Sequence, residues 1–243
     1  FYALDTRRAG GISLRDDSRV ESRYDLGEIV DRFATREKFA TIYLGGSRGL
    51  VDGWARRFSV GVTLDERTFE ALPGADATRL LPSDRKLVYP WVGAEWVQDA
   101  FRTDRNRDQI DKTEDYSLGW RANARLGFAS GYFGSDRTAA LLSAQVSKGL
   151  QLGDRHTLQF ALNADGRLER GAIADGLFGI ATRYYFRQSP RRLLLLNLSA
   201  DAGMHLDDDQ QLLLGGDNGL RGYPLRYQAG QGRWLFTAEQ RLF

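Results

Sequence analysis

The stretch Tyr116-Ser117-Leu118-Gly119-Trp120-Arg121-Ala122-Asn123-Ala124-Arg125-Leu126-Gly127-Phe128 decides the fold. Its even positions are aromatic or aliphatic throughout, and its odd positions are serine, glycine, arginine and asparagine. Only an extended chain, whose side chains point alternately to opposite faces, turns that order into one apolar and one polar surface. The same period runs through His156 to Glu169, where Leu158, Phe160, Leu162, Ala164 and Leu168 oppose Gln159, Asn163, Asp165, Arg167 and Glu169. It returns in Phe58/Val60/Val62/Leu64, Leu142/Ala144/Val146, Phe178/Ile180/Tyr184/Phe186, Leu194/Leu196/Leu198/Ala200 and Trp234/Phe236/Ala238/Leu242.

Ten strand segments follow, at about 8–16, 34–47, 54–69, 86–102, 115–130, 137–150, 156–169, 177–188, 192–205 and 232–243, and Val20 to Leu26 is an ambiguous stretch that extends a neighbour. These strands are long, whereas soluble strands cluster near ~5–6 residues. In a soluble sandwich the apolar face is the core. In an outer-membrane barrel it meets lipid, while arginine, aspartate, glutamate and asparagine line a wet or plugged interior. Length and charge together favour the barrel: an all-β, antiparallel, up-and-down transmembrane β-barrel. Tight connections at 149–155 and 188–191 alternate with longer polar ones at 70–85 and 206–231, which is the barrel pattern of short turns and long outer loops.

Composition closes off other classes. Among 243 residues, Lys+Arg 34 against Asp+Glu 32 leaves a formal charge of +2, so no one-signed field points to nucleic acid. Cys is 0, which excludes disulfides and thiolate chemistry. The mean hydropathy of −0.44 and a longest apolar run of four leucines, Leu193 to Leu196, leave no apolar helical span of roughly 20 residues.

Catalytic and metal motifs are absent from the sequence, so neither an enzyme nor a cofactor is expected. His156 and His205 have no partner at ligand spacing. Asp207-Asp208-Asp209 lacks a spaced ligand loop and reads as a solvated acidic turn. Glu95 and Asp99 read as part of a wall charge lattice with Arg121, Arg125, Arg167 and Arg183, rather than as an acid/base pair.

The most specific stretch is Leu214-Gly215-Gly216-Asp217-Asn218-Gly219-Leu220-Arg221-Gly222-Tyr223-Pro224. By composition it is an ordinary glycine-rich hairpin loop. Its residues nevertheless resemble the sixth extracellular loop of the BamA, TamA and two-partner-secretion transporter superfamily of outer-membrane insertases and translocators. There a Gly-Gly precedes a Val/Leu-Arg-Gly-Phe/Tyr tetrad, matched here by Gly215-Gly216 and Leu220-Arg221-Gly222-Tyr223. Glu239, in Thr237-Ala238-Glu239-Gln240-Arg241, matches the acidic residue of the following strand, and parity puts it on the polar face. Segments 45–54 and 112–119 are similar to strand-turn regions of such barrels.

The resemblance implies that Arg221 reaches into the barrel and pairs with Glu239, a role suited to a permanently charged planar fork. It further implies that Gly222 passes close to the wall and that Tyr223 packs the loop tip. The ten segments become the third to the twelfth of about sixteen strands. Residues 1–243 are then a partial barrel domain, cut at Phe1-Tyr2, with N-terminal strands, POTRA domains and last strands outside it. The final Phe243, which looks like a barrel-assembly signal, is a coincidence of that cut. The implied location is the bacterial outer membrane of a Gram-negative cell. The implied partners are outer-membrane lipid, unfolded or secreted polypeptides, and POTRA domains or accessory lipoproteins. A membrane anchor for a lipase-type enzyme and a passive porin are the alternatives.

Overall fold

A computed structural model describes residues 3–73 and 81–243. Ten strands form one antiparallel sheet in simple succession: β1 (Arg8–Asp25), β2 (Glu28–Val51), β3 (Trp54–Ala71), β4 (Arg85–Gln98), then β7 (Arg121–Ala129), β8 (Ala139–Gln151), β9 (His156–Glu169), β10 (Ala172–Ser189), β11 (Arg192–Met204) and β14 (Gly232–Leu242). Two small ribbons stand apart from it. One pairs β5 (Phe101–Arg105) with β6 (Thr113–Ser117), and the other pairs β12 (Leu212–Leu214) with β13 (Gln228–Gly230). A single 3-10 turn at Gly131–Phe133 is the one helical element among the described residues, none of whose helices is long and apolar enough to cross a membrane.

Each expected segment has a strand in the sheet. Three hairpins turn on two residues of positive φ, at Leu26-Gly27, Asp52-Gly53 and Arg170-Gly171, the geometry that matches strand twist. Val20 to Leu26 lengthens β1, so β1 and β2 are longer than alternation indicates. Their added ends are polar on both faces, with Asp17, Arg19, Glu21 and Arg23 on one and Ser18, Ser22 and Arg32 on the other; where they join the expected segments, Arg36 clasps Asp16 with bonds of 3.0 and 2.8 Å while Arg19 holds Asp17 and Glu37. Charge on both faces erases the apolar parity there. Part of the expected loop 70–85 lies outside the described residues.

The segments 86–102 and 115–130 are not continuous. Gly119 passes so close to Gln98 that a Cβ would stand 2.5 Å from its carbonyl oxygen. There the chain leaves the sheet as the β5–β6 hairpin, and Tyr116 and Leu118 leave the apolar face with it. In β4, Pro90 has no amide hydrogen to donate, and the β4–β7 ladder runs only from Trp91↔Gly127 to Val97↔Arg121. Ser135 takes over beyond it, accepting from the Val88 N–H and donating to the Val88 carbonyl, both at 2.8 Å.

Among the described residues, no second sheet covers the apolar face. Leu14 is 76% exposed, Leu44 69% and Trp234 69%, with Ile12, Ile42, Phe58, Val60, Val92, Leu126 and Phe236 also exposed on that side. The polar face is concave. Side chains of β1, β3, β4 and β9 meet the β11–β14 connection, and those of β10 and β14 meet the hairpin that leaves β4. The buried clusters, Leu87/Ala129/Ala139 and Tyr185/Leu193/Leu195 with Phe243 packed against the latter, lie on this concave side.

Candidate functional site: a loop clamped across the charged face

The connection from β11 to β14 is the longest described between neighbouring sheet strands, and its first turn is half-buried. Arg167 on β9 grips Asp207 with two parallel bonds, Nη1 to Oδ2 at 2.9 Å and Nη2 to Oδ1 at 2.7 Å. It also donates through Nε to Glu169 at 2.7 Å and through Nη1 to Asp175 at 3.2 Å. Arg85 on β4 makes a short bond to the same Asp207 and lies 3.7 Å from Asp209. Arg67 on β3 donates to Asp209 at 3.0 Å. The side chains of Arg85, Arg167 and Asp209 are 6%, 7% and 2% exposed.

These pairs are withdrawn from water, where an unpartnered charge costs several kcal/mol. Burial alone would push the Asp207 carboxyl up, but the hydrogen bond from Arg167 and the charges of Arg85 and Arg167 hold it below its ordinary value. At β1 the clamp continues through a backbone carbonyl and a side-chain amide. Arg23 donates to the Asp208 carbonyl at 3.1 Å, and the Gln211 amide both accepts from and donates to the Tyr24 backbone, at 2.9 and 3.1 Å. The acidic turn expected to be solvated is therefore the anchor of the loop, with only Asp208 exposed. Its arginines come from β3, β4 and β9, and no local spacing signals them.

The glycine-rich motif does a different job. Gly215 and Gly216 let the loop double back tightly: a Cβ on Gly215 would lie 2.3 Å from the Arg226 nitrogen, and one on Gly216 2.5 Å from the Tyr223 oxygen. The Gly216 N–H donates to the Pro224 carbonyl at 3.0 Å, and the Leu220 N–H to the Gly215 carbonyl at 3.0 Å. Gly219, at φ 110°, rests on Leu235 of β14. Arg226 then ties the returning arm to Asp217 at 3.1 Å and lies over the Tyr24 ring at 4.6 Å. Gly215→Ala should cost about 1–3 kcal/mol, because the clash is with backbone that has no rotamer to escape into. Limited proteolysis between 205 and 231 measures it, and unchanged cleavage overturns the close-approach role.

The structure does not bring Arg221 and Glu239 together. Arg221 is exposed at the loop tip, with no ion pair among the described residues, while Glu239 pairs along its own strand with Arg241 at 3.0 Å. Gly222 has open space around it at φ 88°, rather than a close wall, and Tyr223 is half exposed. The loop is tied down through Asp207, Asp209 and Gln211 rather than through its tip, whose residues Arg221 to Leu225 are exposed.

The expected charge lattice is partly formed. Glu95 pairs with Arg57 at 2.7 Å, and Arg167 is the hub described above, whereas Arg121, Arg125 and Arg183 have no carboxylate partner among the described residues. Arg125 stacks on Trp91 at 3.9 Å. His156 meets the Tyr184 hydroxyl at 2.6 Å, and no group of described residues is arranged to hold a metal.

No protein-family model and no curated protein matches the chain.

Proposed function

We propose that this chain is part of the transmembrane wall of a bacterial outer-membrane β-barrel whose protein inserts or exports polypeptides. The observation that carries the membrane reading is the apolar face left bare over ten consecutive strands while the concave face holds the charges. In water that exposure is unfavourable at ~25 cal/mol per Å² of apolar surface, and in lipid it is the required surface. The transport reading rests on the Gly215-Gly216 and Leu220-Arg221-Gly222-Tyr223 loop, which joins β11 to β14 as the superfamily resemblance implies. A long loop lying over the charged face also speaks against a permanently open porin. Lipid, a polypeptide substrate and POTRA-type or lipoprotein accessories are the partners of this reading, and it assigns no covalent chemistry to the chain.

The test uses the full-length protein in liposomes of outer-membrane lipid, supplied with an unfolded outer-membrane barrel protein or an unfolded secreted polypeptide. Protease-protected or membrane-inserted product above that of empty liposomes is expected. Equal yields overturn the transport reading, and failure to enter the bilayer overturns the barrel reading.

A further inference from the structure

The β5–β6 hairpin is not used by that reading. It leaves the end of the sheet opposite the clamped loop, the end of the short turns at 52–53, 152–155 and 190–191, and lies along the same concave face. Tyr116 reaches Gln151 of β8 at 3.3 Å, and Gln159 of β9 donates to the Ser117 carbonyl at 3.2 Å. Tyr185 of β10 donates to Asp108 at 3.0 Å. Arg187 donates to Asp104 and to the Arg105 carbonyl, both at 2.8 Å, and Arg241 of β14 reaches Asp108 at 3.4 Å and makes a short bond to the Arg107 carbonyl.

Arg107, 2% exposed, is held between the rings of Tyr116 and Tyr185 at 3.8 and 3.7 Å. The hairpin is also braced from within. Glu114 accepts the N–H groups of Arg107, Asp108 and Gln109 at 3.2, 2.7 and 3.0 Å, which outweighs desolvation and lowers its pKa. A preformed hairpin docked by ion pairs and a stacked cation can move as a unit.

Both ends of the concave face are thus covered by a connecting segment, and at both ends the segment supplies aspartate while the wall supplies arginine. Between them lie cavities of about 320 and 450 Å³ that share Arg125 and Ser143. We propose that the β5–β6 hairpin is a second gate, in series with the β11–β14 loop, and that passage from one end of the concave face to the other opens only when both are released. This inference rests on the barrel reading but not on the transport reading.

The test is ion conductance of the full-length protein in planar lipid bilayers, which reads passage from one end of the concave face to the other. Asp207→Asn/Asp209→Asn releases the loop, and Arg107→Ala/Asp108→Asn releases the hairpin, with Asp104→Asn/Asp108→Asn as a milder second hairpin variant. Each set alone should leave conductance close to that of the parent. The combined set should raise conductance at least about tenfold above the product of the two separate effects. Full conductance with the loop variant alone, effects that only multiply, or an open parent overturns the second gate. Heat-modifiable mobility on gels identifies the folded species, and only that species is scored.

Discussion

Replacing Arg85 by glutamine is expected to undock the β11–β14 loop, at a cost of about 3–5 kcal/mol, the range for removing one partner of a buried ion pair. Among the described residues, the only carboxylates that Arg85 meets within salt-bridge distance are Asp207 and Asp209, so its loss strips compensation from two aspartates that have left water. Asp207→Asn should act in the same direction, since it leaves both Arg85 and Arg167 short of an anion. The double variant should recover part of the loss, because the Arg85–Asp207 pair is then removed from both sides, while Asp209 keeps Arg67 and Arg167 keeps Glu169 and Asp175. Protease cleavage within 205–231 measures docking, and cleavage no faster than in the parent would overturn the clamp.

Acid should release the same contact. The Asp207 pKa is depressed in the docked state, so its contribution is complete above the unfolded carboxylate value of about 3.9 and is lost as pH falls through the lower, docked value. Docking is therefore expected to hold unchanged from neutral pH to about 5 and to fail only in stronger acid.

A positive charge on the bare face is the second large effect. Val146 and Gln145 are neighbours on β8, and Val146 faces the apolar side between Ala122 and Leu162 while Gln145 faces the concave side between Asn123 and Asn163. Val146→Arg should destabilise the protein folded in a bilayer by ~2–4 kcal/mol if the residue sits near the midplane. Gln145→Arg should change stability far less, because its side chain enters a polar surface. Guanidinium unfolding from lipid vesicles gives both numbers, and equal effects would mean that the two faces do not meet different solvents.

The alternation of side chains carried all ten sheet strands because it is a local property of extended chain, readable without knowing what each strand pairs with. It failed at the ends of β1 and β2, where Asp17, Arg19, Glu21 and Arg23 make one face polar and Ser18, Ser22 and Arg32 the other. It failed again at Gly119, where the reason for leaving the sheet is the closeness of Gln98, a contact that spacing does not reveal. The clamp was hidden for a different reason. Asp207-Asp208-Asp209 looks solvated in isolation, and its burial depends on Arg67, Arg85 and Arg167, which are remote in the chain. The glycines of the 214–224 loop were legible as a motif, but their chemistry here is backbone approach, and the Arg221–Glu239 pair that the resemblance implied is not made.

The separations bridged by the clamp bear on the order of assembly. Neighbouring strands pair through hairpins, which form from nearby chain, whereas Asp209 meets Arg67 across 142 residues and Asp207 meets Arg85 across 122. Contacts that distant reward folding late, after intervening chain has been ordered. The three arginines are assembled only when β3, β4 and β9 have their places in one curved sheet. Docking of the loop consequently depends on the whole sheet: a chain with a misregistered or missing strand would leave its acidic turn in water, exposed to proteases.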